Sequence, residues 1–516
     1  MYTEAINQCY REAMEKYPGK KEGTIMSQMN LFDELPEQPA KRNGVPSLDR
    51  FEGALLCSTV GDALGWPTEF LKQTNGHRPS FSLPVKDFVS WEKLVGGKWW
   101  GYDERIGQGE YSDDTQLTLA VARSIAETGQ FEPERFAYEE LPLWLQYERG
   151  GGKSVKTAAR RLVGKNADWQ SNFYKQHDLD YRTAGANGAA MRDLPIALVN
   201  VNHDSRLIKD SFLNAIITHG HPRAILGAIL FALAVKYALT ASHGIPIASL
   251  VKYLSEGMNN TGKVIAGDDR ITLWIRRWEQ EKGEKSFRQS FMQTYQEALN
   301  YLKSIDQYVS SDAKSYYIFI GALEPLTKGS GLATVCVAIY LFLKYLEEPE
   351  TALMTAVNML GSDTDTIGVF LGSLLGAYHG MKAVPTHLFA QVQDRDYLLK
   401  TAKRLHAIAV GEKADFIAEN RAVQRTDAYY RILAWEIGLH EMFWDALREG
   451  GTVVHPALGR GTITKQEVKP IKRDDYVAKL IHVKFDCGQS CIFHSRVEHN
   501  ERISESLAKE VARALQ

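Results

Sequence analysis

Two rows of small residues set four apart do most to limit how this chain can fold. Gly368, Gly372, Gly376 and Gly380 form one row, and Gly53, Cys57, Gly61 and Gly65 form the other. Residues four apart share one face of a helix, so each row predicts a helix whose backbone can approach a neighbour closely. Each glycine gives up as much as about 1 kcal/mol of helix propensity, and tight packing is the compensation. Membrane helix dimers use the same spacing, but the flanks here are too polar for that.

From Leu48 onward apolar residues recur at helical spacing through roughly 400 residues. The pattern predicts helices over 50–66, 115–128, 132–148, 153–163, 208–219, 222–242, 246–257, 285–304, 331–346, 350–359, 366–380 and 396–409, hence a large all-α body. A chain of 516 residues can bury a sizeable core and hold more than one domain. Hydrophobic residues at 44% and charged residues at 24% place it among soluble globular proteins, and a net charge of −2 supplies no global field toward nucleic acid or membranes. The most apolar run, 224–239, is interrupted by Lys236 and reads as too short to cross a bilayer. Cys9, Cys57, Cys336, Cys487 and Cys491 are few, odd in number and scattered. With an N-terminus lacking an apolar core, they fit a reducing cytoplasm.

Composition divides the chain further. Residues 1–47 combine a short helix over 1–17 with a Lys-, Gly-, Pro- and Gln-rich linker. The helical body spans 48–410, and 411–450 reads as a helical connector with aromatic anchors Tyr429, Tyr430, Trp435, Phe443 and Trp444. Within 451–516, short β-type runs at 452–454, 461–464, 479–485 and 490–493 are separated by Gly459, Gly461, Asp475 and Gly488. They predict a small barrel, followed by a terminal helix over 502–516.

Chemistry concentrates in two acidic clusters, Ser112-Asp113-Asp114-Thr115 and Ser362-Asp363-Thr364-Asp365-Thr366. Each stands just before a long small-and-apolar helical stretch. Ordinary N-capping accounts for one Ser, Thr or Asp at a helix start. It does not account for two carboxylates alternating with two hydroxyls. Four carboxylates and hydroxyl oxygens of equal hardness suit a pair of hard divalent cations such as Mg²⁺.

The motifs Gly61-Asp62-Ala-Leu-Gly65-Trp-Pro-Thr-Glu69, Tyr111-Ser-Asp-Asp-Thr115, Gly185-Ala-Asn187-Gly188-Ala-Ala-Met-Arg192, Thr218-His219 and Gly361-Ser-Asp-Thr-Asp-Thr-Ile-Gly368 occur in this order. Together, over roughly 48–400, they resemble the ADP-ribosylglycohydrolases, relatives of dinitrogenase reductase-activating glycohydrolase. The resemblance implies a compact, orthogonally packed all-α domain with a binuclear Mg²⁺ or Mn²⁺ site in a cleft. By position, Ser112, Asp113, Asp114, Asp363, Asp365 and Thr366 would be metal ligands. Glu69 and Asp114 are the candidates for proton transfer, Glu69 favoured. Gly185, Asn187, Gly188, Ala189, Arg192 and His219 would contact the ADP-ribose. Ser362 stands where the family often has Gly, ahead of the ligands.

Read from the residues alone, some of these have other uses. Arg192 can pair with a nearby acid, and His219, on an apolar helix, equally suits a structural histidine. Asp62 reads as a structural hydrogen-bonder rather than a ligand. The implied activity is metal-dependent hydrolysis of the N- or O-glycosidic bond joining ADP-ribose to a protein or nucleic acid. The alternative is a catalytically silent ADP-ribose-binding or toxin-immunity protein.

Both ends carry further resemblances. Val453-Val-His-Pro-Ala-Leu-Gly-Arg-Gly-Thr-Ile-Thr464 with Lys479-Leu-Ile-His-Val-Lys-Phe-Asp-Cys-Gly488 resembles the Tudor-like barrel of some bacterial DNA-repair helicases, implying RNA polymerase or nucleic acid as a partner of 451–500. His482, Cys487, Cys491 and His494 read as core packing within alternating strands rather than a zinc site. Gln28-Met-Asn-Leu-Phe32 resembles the peptide that docks on the replication sliding clamp.

Overall fold

The computed structural model describes residues 44–71, 79–96, 101–176, 179–280, 286–413, 423–439, 444, 446–471 and 477–494. The expected helices at 1–17 and 502–516 and the clamp-type peptide at 28–32 lie outside the described residues. The longer helices, in chain order, are α1 Leu48–Gly65, α2 Asp113–Arg123, α3 Lys153–Leu162, α4 Leu194–Val199, α5 Asp204–Ile216, α6 Pro222–Thr240, α7 Ile247–Ala266, α8 Asp269–Glu279, α9 Phe287–Tyr308, α10 Ala313–Phe319, α11 Gly331–Lys344, α12 Pro349–Val357, α13 Thr364–His379, α14 Arg395–Val410 and α15 Arg425–Gly438. Strands are β1 Trp91–Val95, β2 Tyr102–Ile106, β3 Lys175–Gln176, β4 Leu179–Asp180, β5 Thr452–His455, β6 Gly459–Pro470, β7 Val477–Phe485 and β8 Ser490–His494.

The two glycine rows meet each other. α1 and α13 run antiparallel with their backbones in contact along the whole seam. A Cβ added at Gly61 would lie 2.0 Å from the Gly368 carbonyl oxygen, one at Gly372 2.2 Å from Cys57 O, and one at Gly376 2.1 Å from Gly53 O. Only hydrogen fits at these positions. The antiparallel seam puts the end of α1, near Asp62 and Glu69, beside the start of α13, near Asp363 and Asp365. Thr68 Oγ1 ties the two, donating to Val357 O at 2.6 Å and bonding Thr364 Oγ1 at 3.0 Å. α6 and α11 bury nearly all their apolar side chains around this pair. By length and composition α6 could cross a membrane, but 78% of its apolar window is buried inside the protein.

Several elements differ from expectation. The single helix expected over 132–148 is broken into Pro133–Arg135, a π-helical turn Phe136–Glu140 and Leu141–Trp144. Pro142 lacks the N–H that an α-helix would direct at Tyr138, and Leu141 N bonds to Phe136 O instead. Helices α4, α8 and α10 and the hairpin β1–β2 were not foreseen. β1 and β2 pair antiparallel, with Lys93 opposite Glu104.

The C-terminal strands form an open antiparallel sheet in the order β5-β6-β7-β8. Among the described residues it does not close into the expected barrel. It is also no free appendage: Ile463, Ile481, Val483, Phe485, Cys491 and Phe493 belong to the same buried cluster as the helical core. Tyr147 and Trp435 pack edge-on against Phe493, with ring centroids 5.7 and 5.0 Å away. Arg123 Nη1 donates to Gln489 Oε1 at 2.8 Å. Asp394, at the head of α14, accepts from Ser490 N, Ser490 Oγ and Lys484 Nζ at 2.8, 2.8 and 2.9 Å. Cys491 is buried in this core, and His482 Nε2 lies 2.8 Å from Glu467.

Candidate active site

Three carboxylates from segments far apart in sequence gather where α1 ends and α13 begins. Oxygens of Glu69, Asp363 and Asp365 lie within 4.8 Å of one another, Asp365 buried and the other two half-buried. The acidic start of α2 joins them: Asp114 is hydrogen-bonded by Thr366. Its Oδ2 is buried with no partner. Ser112 caps α2, its Oγ accepting from Asp114 N at 3.1 Å, and Asp113 N donates to Arg149 O at 2.9 Å. Hence Ser112, Asp113, Asp114, Glu69, Asp363, Asp365 and Thr366 share one neighbourhood.

Asp62 holds α2 in place. Its carboxylate accepts from Ser112 N at 3.1 and 3.2 Å, from Thr115 N at 3.1 Å and from Thr115 Oγ1 at 2.6 Å. This occupies Asp62 with positioning. Tyr111 adds a second tie, its hydroxyl donating to Asp394 Oδ2 at 2.9 Å.

Charge is the dominant property. Burial, then the Asp363 charge, pushes Glu69 up to about 7, opposed by Lys93 and Lys328. Asp113 is raised by burial and Glu148, with Lys93 opposing. Asp114 is raised by burial and by Asp113, Asp62 and Asp363. Asp365 is raised by burial, Glu69, Asp363 and Asp114. Each acid makes its neighbours harder to ionise, and Lys93 and Lys328 offset only part of this repulsion. Hard oxygen donors, mutual repulsion and the orphaned Asp114 Oδ2 together fit a divalent cation pair, whose charge would reverse these shifts.

The loop at 185–192 lies against the same cluster. Asn187 Nδ2 donates to Asp363 Oδ2 at 3.1 Å and Asn187 N to Gly329 O at 2.9 Å. A Cβ at Gly185 would press on His221 and Arg223, and one at Gly188 would lie 2.9 Å from Val155 and 3.1 Å from His219 Cε1. Ala189 is fully buried, its carbonyl accepting from Asn214 Nδ2 at 3.2 Å. Arg192 takes a structural place in the loop. It is fully buried and donates to Asn214 Oδ1, Gly188 O, Asn214 O and Thr218 Oγ1 at 2.8, 2.8, 2.8 and 2.9 Å. All three of its guanidinium nitrogens are thus engaged by oxygens of the loop and of Asn214 and Thr218. His219 is equally enclosed, with Nδ1 2.8 Å from Thr218 Oγ1. Burial and then Arg192 push it down to about 3, which favours the neutral imidazole.

Trp66, Lys93 and Lys328 also border the cluster and were not singled out from sequence. Lys328 Nζ donates to Glu69 O at 3.4 Å. Trp66 lies inside the quoted Gly61–Glu69 motif, so a signal existed for it. Lys93 comes from a short charged strand that gave none.

Comparison with known proteins bears on the chain as a whole. The family ADP-ribosylglycohydrolase matches residues 44–414. Mouse ADP-ribosylhydrolase ARH3 is 27% identical over 360 residues, covering 66% of this chain and 86% of its own. ADP-ribosyl-[dinitrogen reductase] glycohydrolase of Rhodospirillum rubrum is 33% identical over 175 residues, covering 34% of this chain and 52% of its own. A solved chain titled ADP-ribosylglycohydrolase-related protein complex shares 21% identity at a TM-score of 0.46, covering 70% of this chain and 98% of that one. A match over residues 44–414, well beyond half of the 516, means that this chain belongs to the ADP-ribosylglycohydrolase family.

Proposed function

We propose that this chain is a divalent-metal-dependent hydrolase that removes ADP-ribose from a macromolecule, an ADP-ribosylated protein in the first instance. The observation that carries this reading is the convergence of Glu69, Asp363 and Asp365 within 4.8 Å beside the unpartnered Asp114 Oδ2. In support, a relative is named for removing ADP-ribose from dinitrogen reductase.

Ser112, Asp113, Asp114, Asp363, Asp365 and Thr366 would hold two Mg²⁺ ions. When bound, such a pair supplies Lewis acidity and an acidified water at neutral pH. Asn187 steadies Asp363 by donating to its Oδ2. The backbone of 185–189 would face the diphosphate and ribose at a loop-to-helix junction, with Gly185 and Gly188 leaving room for His221, Arg223, Val155 and His219 against the loop. Glu69 accepts the proton of the attacking water. That water's oxygen bonds to the anomeric carbon as the glycosidic bond breaks through an oxocarbenium-like state, its electron pair leaving with the departing group.

The test is ADP-ribose release from arginine-, serine-, DNA- and RNA-linked substrates, with Mg²⁺ and with chelator. Asp114→Ala and Asp363→Ala should each lose Mg²⁺-dependent release while keeping the far-ultraviolet spectrum. Full release in either variant, or release undiminished by chelator, refutes the reading. Stoichiometric protection without turnover would instead favour a binding protein.

A further inference from the structure

We infer that Lys93 is the fixed counter-charge of the acidic cluster, a positioning residue that limits how tightly these carboxylates hold divalent cations. The inference rests on the cation-site reading of Glu69, Asp113, Asp114, Asp363 and Asp365 given above. Lys93 Nζ is buried with no hydrogen-bond partner. It lies 4.5 Å from the centroid of the Trp66 ring and 5.0 Å from that of Phe70, within favourable cation–π range. Gly150, at a left-handed φ of +108°, leaves a niche beside it. A Cβ there would be 3.0 Å from Lys93 Nζ, 3.1 Å from Asp113 Oδ1 and 3.3 Å from Trp66 Nε1. The ammonium and the Asp113 carboxylate therefore face one small space.

A buried ammonium without hydrogen bonds is unfavourable, so the surrounding structure must hold it there. Trp91 packs edge-on against Trp66 at 5.2 Å. The opposite strand is pinned by the C-terminal sheet: Tyr102 packs with Ala478 and Leu480, and Lys469 Nζ donates to Asp103 O at 3.4 Å. Glu104 pairs with Arg149 at 3.1 Å. The sheet at 452–494 lies outside the family match at 44–414. This chain thus uses an added element to clamp the hairpin that presents Lys93.

A fixed positive charge repels an incoming cation, so its removal must strengthen cation binding. A lysine that merely supported the hairpin would, on removal, loosen the site and weaken binding. Calorimetric titration of the full chain with Mn²⁺ separates the two. Lys93→Met and Lys93→Gln should bind Mn²⁺ at least about fivefold more tightly than wild type, and Lys93→Arg should stay within about twofold. Unchanged or weaker binding in the neutral variants overturns the inference while leaving the cation site standing. Loss of fold in both neutral variants makes Lys93 structural and also overturns it. Absence of Mn²⁺ binding by the wild type overturns the cation reading and this inference together.

Discussion

Gly61→Ala is the sharpest perturbation of the seam on which the site is built. The new Cβ would sit 2.0 Å from Gly368 O and 2.3 Å from Gly368 C, both rigid backbone atoms. Ordinary carbon–oxygen contact begins near 3.4 Å, so α1 and α13 must part locally by roughly 1.4 Å. Overpacking costs about 1–3 kcal/mol, sometimes more, and the separation also weakens dispersion along a seam of several turns. Ala returns about 1 kcal/mol of helix propensity. The expected net loss is about 1–2 kcal/mol, read as an earlier midpoint in a urea melt. Function should fall further, because Asp62 is the next residue and Gly65 abuts Thr364 and Asp365. A misplacement of about 1 Å in a positioned site costs on the order of 10²-fold in rate. Gly438→Ala is the control: α15 offers open space there, so the melt should be unchanged or slightly later. Wild-type stability and release in Gly61→Ala would refute the close-packing argument.

Other outcomes follow from the same structure. Arg123→Ala should cost about 3–5 kcal/mol in a denaturant melt, because it strands the buried Glu140 carboxylate, which Arg123 contacts at 2.7–3.0 Å. Removal of residues 451–516 should destabilise the helical body and increase binding of an apolar dye, since it strips Phe485, Cys491 and Phe493 from the shared core; a truncated chain melting with the wild type would contradict this. Asp193 is pushed up to about 7 by burial, despite hydrogen bonds from Ser211 and Asn214. The folded chain keeps this proton between its ordinary 3.8 and about 7, where the unfolded chain has released it, so this group's contribution to stability is lost as pH rises through that interval. Asp193→Asn should therefore narrow the fall in melting temperature between pH 5 and pH 8; an unchanged fall would assign it to other groups.

Much of the helical body was legible because its period is local. The apolar spacing located α1, α6, α11 and α13, and the glycine rows announced close approach. Which row met which was not legible, since pairing of Gly61 with Gly368 is a tertiary fact. α8 was missed although Ile271, Trp274 and Trp278 bury one face, because Arg276, Arg277 and Glu279 make the segment look polar. The π turn follows from Pro142 acting inside an otherwise good helical pattern. At the site, residue type and motif were enough to nominate the carboxylates. Arg192 and His219 carry the same ligand-like chemistry, but the role of Arg192 depends on Asn214, which no spacing connects to it, and that of His219 on how deeply the fold encloses it beside Thr218. The C-terminal strands were legible as strands. Their fusion to the body was not, because it depends on Arg123 meeting Gln489 and Asp394 meeting Ser490 across the fold.

The proposed function requires Glu69, Asp113, Asp114, Asp363 and Asp365 to surround a pair of divalent cations. Anomalous scattering from crystals grown with saturating Mn²⁺ tests it most directly. Two manganese peaks among these carboxylates are the predicted result, with one beside Asp114 Oδ2. Strong manganese peaks elsewhere in the molecule, with none at these carboxylates, would contradict the account.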